Sequence, residues 1–127
     1  MNRRSHADGE LGRPNEPAVL ILTSLASGAK HGHALMQDIS QFAGVTLGPG
    51  TLYGAITRLE ERGFIEPAGE AQRRRPYQIT ASGCAALAKA VAEMRTIAEE
   101  GSARLARHGL GLAGPQRPGA AMPGWTA

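Results

Sequence analysis

The residues from Ala18 to Ala26, AVLILTSLA, are apolar on nearly every side of a helix, with Ala18, Val19, Leu20, Ile21, Leu22 and Leu25 spread around its circumference. Pro17 suits the first position of that helix, where a missing N–H leaves nothing unpaired, and Gly28 marks its stop. A helix apolar all round needs cover on more than one side, and a domain this small predicts some of it from a second copy of the chain. After His31-Gly32-His33 the pattern changes. Leu35, Met36, Ile39 and Phe42 recur at helical spacing, with Gln37, Asp38 and Gln41 opposite, so a second helix is predicted. GVTLG at 44–48 is a turn. A third helix opens at Pro49 and runs to about Arg62, with Leu52, Ala55, Ile56 and Leu59 forming a core stripe and Gly63 ending it.

Phe64-Ile65-Glu66 and Tyr77-Gln78-Ile79 are short strand candidates. The polar stretch between them, PAGEAQRRRP, reads as an extended hairpin loop. Thr80 is placed to cap a long fourth helix. Along it Cys84, Leu87, Val91, Met94, Ala98, Gly101 and Leu105 alternate at spacings of three and four, a coiled-coil-like seam softened by its small residues. The predicted fold is mainly α with a small β-hairpin: a winged helix-turn-helix followed by a C-terminal dimerisation helix. The boundaries are 1–15 for a polar N-terminal tail, 16–80 for the winged domain and 81–108 for the dimerisation helix. Residues 109–127 form a second tail whose five glycines and three prolines cannot bury enough apolar surface to fold.

Charge then locates the functional surface. The net charge of +3 over 127 residues is modest. Arg73, Arg74 and Arg75 nevertheless stand side by side in the hairpin loop. Adjacent like charges repel, and a phosphate backbone or minor groove offsets that repulsion while releasing counterions. The third helix is the element to enter a major groove, presenting Thr51, Gly54, Thr57, Arg58 and Glu61, with Tyr53 at the edge. Its compact start, Gly48-Pro49-Gly50-Thr51, lets backbone amides approach a phosphate at the positive end of the helix dipole. Arg58 suits either a guanine or a phosphate. For Arg58 and Glu61 the plainer alternative is local ion pairing, and for Tyr53 it is packing with only the hydroxyl reaching DNA.

Other chemistries fit less well. His31, His33 and Cys84, with His6 and His108 near the tails, are too few and too scattered for a zinc site, so no metal and no cofactor is expected. Cys84 falls on the seam, where packing is the expected role of a lone thiol; a redox switch would need a low pKa, and the closest basic residue downstream is Lys89. No nucleophile with a base, phosphate loop or acidic pair points to an enzyme. No apolar run approaches the ~20 residues that span a bilayer. MNRRSHADGE lacks the apolar stretch of a secretory signal, so a cytoplasmic protein is expected.

The stretches KHGHALMQDIS, LGPGTLYGAITRLEERGFIE and RRRPYQITASGCAAL resemble the PadR family of transcriptional regulators. That family has a His-Gly-aromatic helix start, a Ser-Pro-Gly-Thr-Leu-Tyr-Pro segment, a Leu-Glu-x-x-Gly-Leu-Ile helix end, and an Arg-rich wing followed by Tyr-x-x-Thr-x-x-Gly. The likeness covers about residues 19–95, and the single seam helix is similar to the short subfamily. It implies a homodimer built by the C-terminal helix together with the first, and DNA contact through Pro49, Gly50, Thr51, Tyr53, Arg73, Arg74 and Arg75. It further implies, in some members, repression relieved by a small-molecule effector. With the outward residues Gly54, Thr57 and Arg58, and with Tyr77 at the root of the wing, these make up the expected DNA surface. Val19, Leu22, Leu87, Val91, Met94, Ala98 and Leu105 make up the expected dimer surface. Three positions depart from the pattern: Gly48 for serine, Gly54 for proline and His33 for tyrosine. The expected function is a sequence-specific repressor of double-stranded DNA on an inverted repeat. The alternative is a winged-helix adaptor that uses its arginines on an acidic protein.

Overall fold

The computed structural model describes residues 11–13, 16–69 and 76–109. The order is α1 (Pro17–Leu25), α2 (Gly32–Ala43), α3 (Pro49–Glu61), β1 (Ile65–Pro67), β2 (Tyr77–Ile79) and α4 (Ala81–Arg107). The chain divides into two units, Met1–Ala92 and Glu93–Ala127, with the division falling inside α4.

In the first unit α1 is the central element, packed by α2, α3 and β2. Ile21, Leu22, Leu25, Leu35, Ile39, Leu52, Ile56, Leu59 and Ile65 are fully buried, so the stripes of all three helices and the inner face of the hairpin meet in one core. This corrects the expectation drawn from the apolar circumference of α1. Val19 and Leu22 are 4% and 0% exposed within the single chain, and no second copy is required to cover them. Leu11, assigned to the N-terminal tail by composition, is likewise buried.

The helix ends follow from local chemistry. α1 finishes at Leu25, three residues before the expected stop at Gly28. Its last turn is closed by Lys30, whose ammonium donates to the carbonyl oxygen of Ser24, to Ser27 Oγ at 2.8 Å and to the Gly28 carbonyl at 3.3 Å. A cation there satisfies orphan carbonyls and faces the negative end of the helix. Ser24, buried on α1, donates from Oγ to Asp38 Oδ2 on α2 at 2.6 Å, which pins the two helices together. α2 ends at Gly44 in the left-handed conformation. α3 ends as the sequence predicts: Gly63 has φ 79°, its N–H donates to the Glu60 carbonyl, and the Phe64 N–H reaches the Leu59 carbonyl.

β1 and β2 are antiparallel, in the register Ile65↔Ile79, Glu66↔Gln78 and Pro67↔Tyr77. Gln78 Nε2 donates to Glu66 Oε2 at 2.8 Å across the outer face. A further, single-residue rung on the other side of β2 was not legible in the sequence: the backbone of Lys30 exchanges two hydrogen bonds with Tyr77, at 3.0 and 2.8 Å. Thr80 caps α4 as expected, its Oγ1 accepting from the Gly83 N–H at 3.0 Å while donating to the Gly63 carbonyl at 2.7 Å.

The described part of the second unit is the remainder of α4 with His108 and Gly109. Its residues are exposed except for Met94 and Leu105, which are half-buried, and Arg104 pairs with Glu100 one turn earlier at 2.8 Å. Among the described residues no helix is long and apolar enough to cross a membrane.

Candidate nucleic-acid interface

The buried stripe of α3 (Leu52, Ala55, Ile56, Leu59) fixes which side faces outward. Pro49, Gly50, Thr51, Tyr53, Thr57, Arg58 and Glu61 are all exposed, and Gly54 is half-buried. The helix opens at Gly48 with extended backbone and no side-chain cap, so its first-turn N–H groups have no side-chain acceptor. Pro49 at the first helical position removes one donor, and the amides of Gly50 and Thr51 remain directed outward along the axis.

Within this face individual groups differ in what they can offer. Thr57 Oγ1 donates to the Tyr53 carbonyl at 3.0 Å, so its proton is committed to its own helix. The Arg58 side chain makes no hydrogen bond or ion pair with another described residue, and the local pairing with Glu61 does not form. Tyr53 divides its surface: it is 48% exposed, while its hydroxyl end lies against Gly32 at the start of α2. A Cβ at position 32 would collide with the Tyr53 hydroxyl, so the glycine makes the space into which the ring end fits. Packing and outward presentation therefore coexist in that residue.

The wing is described only at its base. Pro67 pairs with Tyr77, and the Ala68 N–H donates to the Pro76 carbonyl at 2.9 Å, so the loop leaves and returns at adjoining points. Tyr77 is half-buried in β2 with both backbone groups held by Lys30. Arg73, Arg74 and Arg75 lie outside the described residues. On α4, Cys84 and Val91 are exposed, the latter 38%, and Leu87 is half-buried. Met94 and Leu105 are half-buried and Ala98 is exposed. Gly83 and Ala86 are the buried positions of this helix, so the side of α4 that packs in the first unit is offset from the expected seam. Among the described residues no group of three or more His, Cys, Asp or Glu side chains is placed to hold a metal ion.

Residues 21–89 match the sequence profile of the transcriptional regulator PadR-like family, a span that runs from α1 through the wing into α4. The chain belongs to that family. It shares the PadR-like winged-helix fold with a crystallised PadR family transcription regulator from Clostridium difficile, at a TM-score of 0.61 and 22% identity over 67% of this chain and 93% of the other. A transcriptional regulator from Clostridium thermocellum is similar at a TM-score of 0.58 and 26% identity, covering 65% of this chain and 84% of its own. An uncharacterized 37.1 kDa transposon protein of Streptomyces fradiae is 44% identical over 71 residues, 56% of this chain. That stretch is 21% of the transposon protein, so the chain spans about a fifth of the curated relative it matches. PadR-like proteins are transcriptional regulators, and the expected fold class, mainly helical with one small hairpin, is borne out.

Two residues of the site escaped sequence reasoning. Lys30 both closes α1 and pairs with the wing strand; a lysine just past a helix C-terminus was the available signal. Gly32 was visible only as part of a motif, because a collision that is absent leaves no mark in hydropathy.

Proposed function

We propose that this PadR-like protein is a cytoplasmic, sequence-specific DNA-binding repressor that acts as a homodimer. The observation that carries the reading is the outer face of α3, where an uncapped helix start and an arginine with no side-chain partner among the described residues are both exposed. Gly50 and Thr51 grip phosphate through backbone amides, Thr57, Arg58 and Tyr53 face the groove, and Arg73, Arg74 and Arg75 hold the flanking backbone or minor groove. Two α3 helices in successive major grooves about 34 Å apart require an inverted-repeat operator with half-sites about one helical turn apart. A dimer bound over a promoter represses by occupancy.

Selection from random duplex by the purified protein is expected to enrich one inverted repeat, with affinity falling log-linearly with salt. An adaptor for an acidic protein would enrich no sequence.

The dimer is assigned to α4 through Leu87, Val91, Met94, Ala98 and Leu105, with Val19 and Leu22 removed from it by their burial. Leu87→Glu with Val91→Glu is expected to give monomers by light scattering, because a desolvated unpaired carboxylate in an apolar seam costs several kcal/mol, about 3–5. A variant that stays dimeric moves the interface elsewhere. An effector held by α4 would find no aromatic side chain to stack on, since ASGCAALAKAVAEMRTIAEEGSARLAR contains none. A small, non-stacking ligand is the class that suits it.

A further inference from the structure

Glycine is disfavoured inside a helix relative to alanine, so a helical glycine calls for a reason. For Gly32 and Gly83 packing supplies it, since a Cβ would collide with Tyr53 or with the backbone at Phe64. Gly54 has no such obstacle. Beyond its sequence neighbours and its own helix backbone, the one atom near an added Cβ is Arg58 Nη1, at 3.6 Å, an ordinary contact. The core therefore tolerates a side chain at position 54, and packing does not account for the glycine.

Arg58 is the only basic residue of α3, PGTLYGAITRLEE. Helix side chains lean toward the N-terminus, so this residue of the third turn delivers its guanidinium over Gly54 in the second. That shift carries the charge toward the helix start, the end that recognition helices present to base edges. The fork has no acidic partner among the described residues, so its donors are unspent. The neighbouring hydroxyl of Thr57 already donates to Tyr53, which leaves Arg58 as the side chain in the middle of the face with donors free for a base.

We propose that Arg58, laid along the bare strip at Gly54, is the guanine-reading residue of α3. Two of its N–H groups donate to O6 and N7 of one guanine in the major groove of each half-site. Gly54 is the positioning residue: it leaves both the guanidinium and the base edge room to approach the helix. The proposal rests on the DNA-binding reading above and adds to it the base that is read and the pair of residues that reads it.

The experiment uses the full chain, the inverted repeat enriched from random duplex, and that repeat with each base pair exchanged singly, all at fixed salt. The variants are Arg58→Ala, Gly54→Leu and the double substitution, each checked for an unchanged melting profile by circular dichroism. Exchange of one G·C pair per half-site for A·T should weaken the wild-type complex roughly 5- to 150-fold. Arg58→Ala should erase that preference while leaving salt-dependent binding to random duplex. Gly54→Leu should reduce the preference in the wild-type background and leave it unaltered in the Arg58→Ala background. Persistence of every G·C preference in Arg58→Ala, or an equal effect of Gly54→Leu in both backgrounds, overturns the assignment while the regulator reading stands. A chain that enriches no sequence, and whose binding to random duplex ignores salt, removes both.

Discussion

Gly83→Ala is expected to destabilise the protein by about 3 kcal/mol, the upper part of the range for inserting a methyl where no space exists. Gly83 sits in the first turn of α4, and its N–H donates to Thr80 Oγ1. An added Cβ there would strike the Phe64 carbonyl oxygen and come within 2.9 Å of Ile79 Cγ1. That carbonyl cannot swing away without loss, because it accepts the Thr80 N–H at 3.0 Å at the point where the hairpin hands over to the helix. The methyl must therefore lift α4 off the hairpin or break that hydrogen bond. Gly32→Ala makes an instructive contrast. It too collides, but with the far end of a half-exposed tyrosine that can rotate outward, so its cost is expected to stay near 1 kcal/mol, at the low end of the same range. Thermal and urea unfolding of the two variants checks both; equal losses would mean that the Tyr53 ring is as immobile as the Phe64 backbone.

The same comparison marks what the sequence could and could not disclose. Periodicity located α2 and α3, since Leu35, Ile39, Leu52, Ile56 and Leu59 must all reach one core and are all buried. Conformational chemistry located the ends of α3 and α4, because Gly63 and Thr80 act through their own backbone and side chain. Relations between distant segments were not legible. The apolar circumference of α1 demands cover, but the pattern cannot say by what, and α2, α3 and β2 supply it within one chain. The rung between Lys30 and Tyr77 joins residues 47 apart through backbone groups that every residue possesses. The glycines of the PadR-like motifs were recognisable in the sequence, while the physical demand at positions 32 and 83 appeared only with their neighbours in place.

That rung also bears on how the site is held. Lys30 closes α1 with its side chain and joins β2 with its backbone, Tyr77 is paired to both Lys30 and Pro67, and Thr80 ties the end of the hairpin to Gly63 just past α3. The root of the wing is thus fixed to the ends of the central helix and the outward helix. That root is where the loop carrying Arg73, Arg74 and Arg75 leaves and rejoins the sheet, between Ala68 and Pro76.

Replacing Arg73, Arg74 and Arg75 together by alanine is therefore expected to have the largest effect on DNA binding of any surface change. If each neutralises one phosphate, the slope of log affinity against log salt should flatten by about 2.7, from roughly 0.9 per contact. The loss should be shared by operator and random duplex, because phosphate contacts position a protein without reading sequence. This separates the wing from Arg58, whose loss is predicted to act on one base pair. The substitutions fall in the loop beyond the Ala68–Pro76 hydrogen bond, so stability should be nearly unaltered, within about 0.5 kcal/mol. Fluorescence anisotropy with labelled duplex across a series of salt concentrations measures the slope directly. A triple variant that keeps the wild-type slope would show that the arginines meet something other than a phosphate backbone, and the cationic loop would then belong to a protein partner.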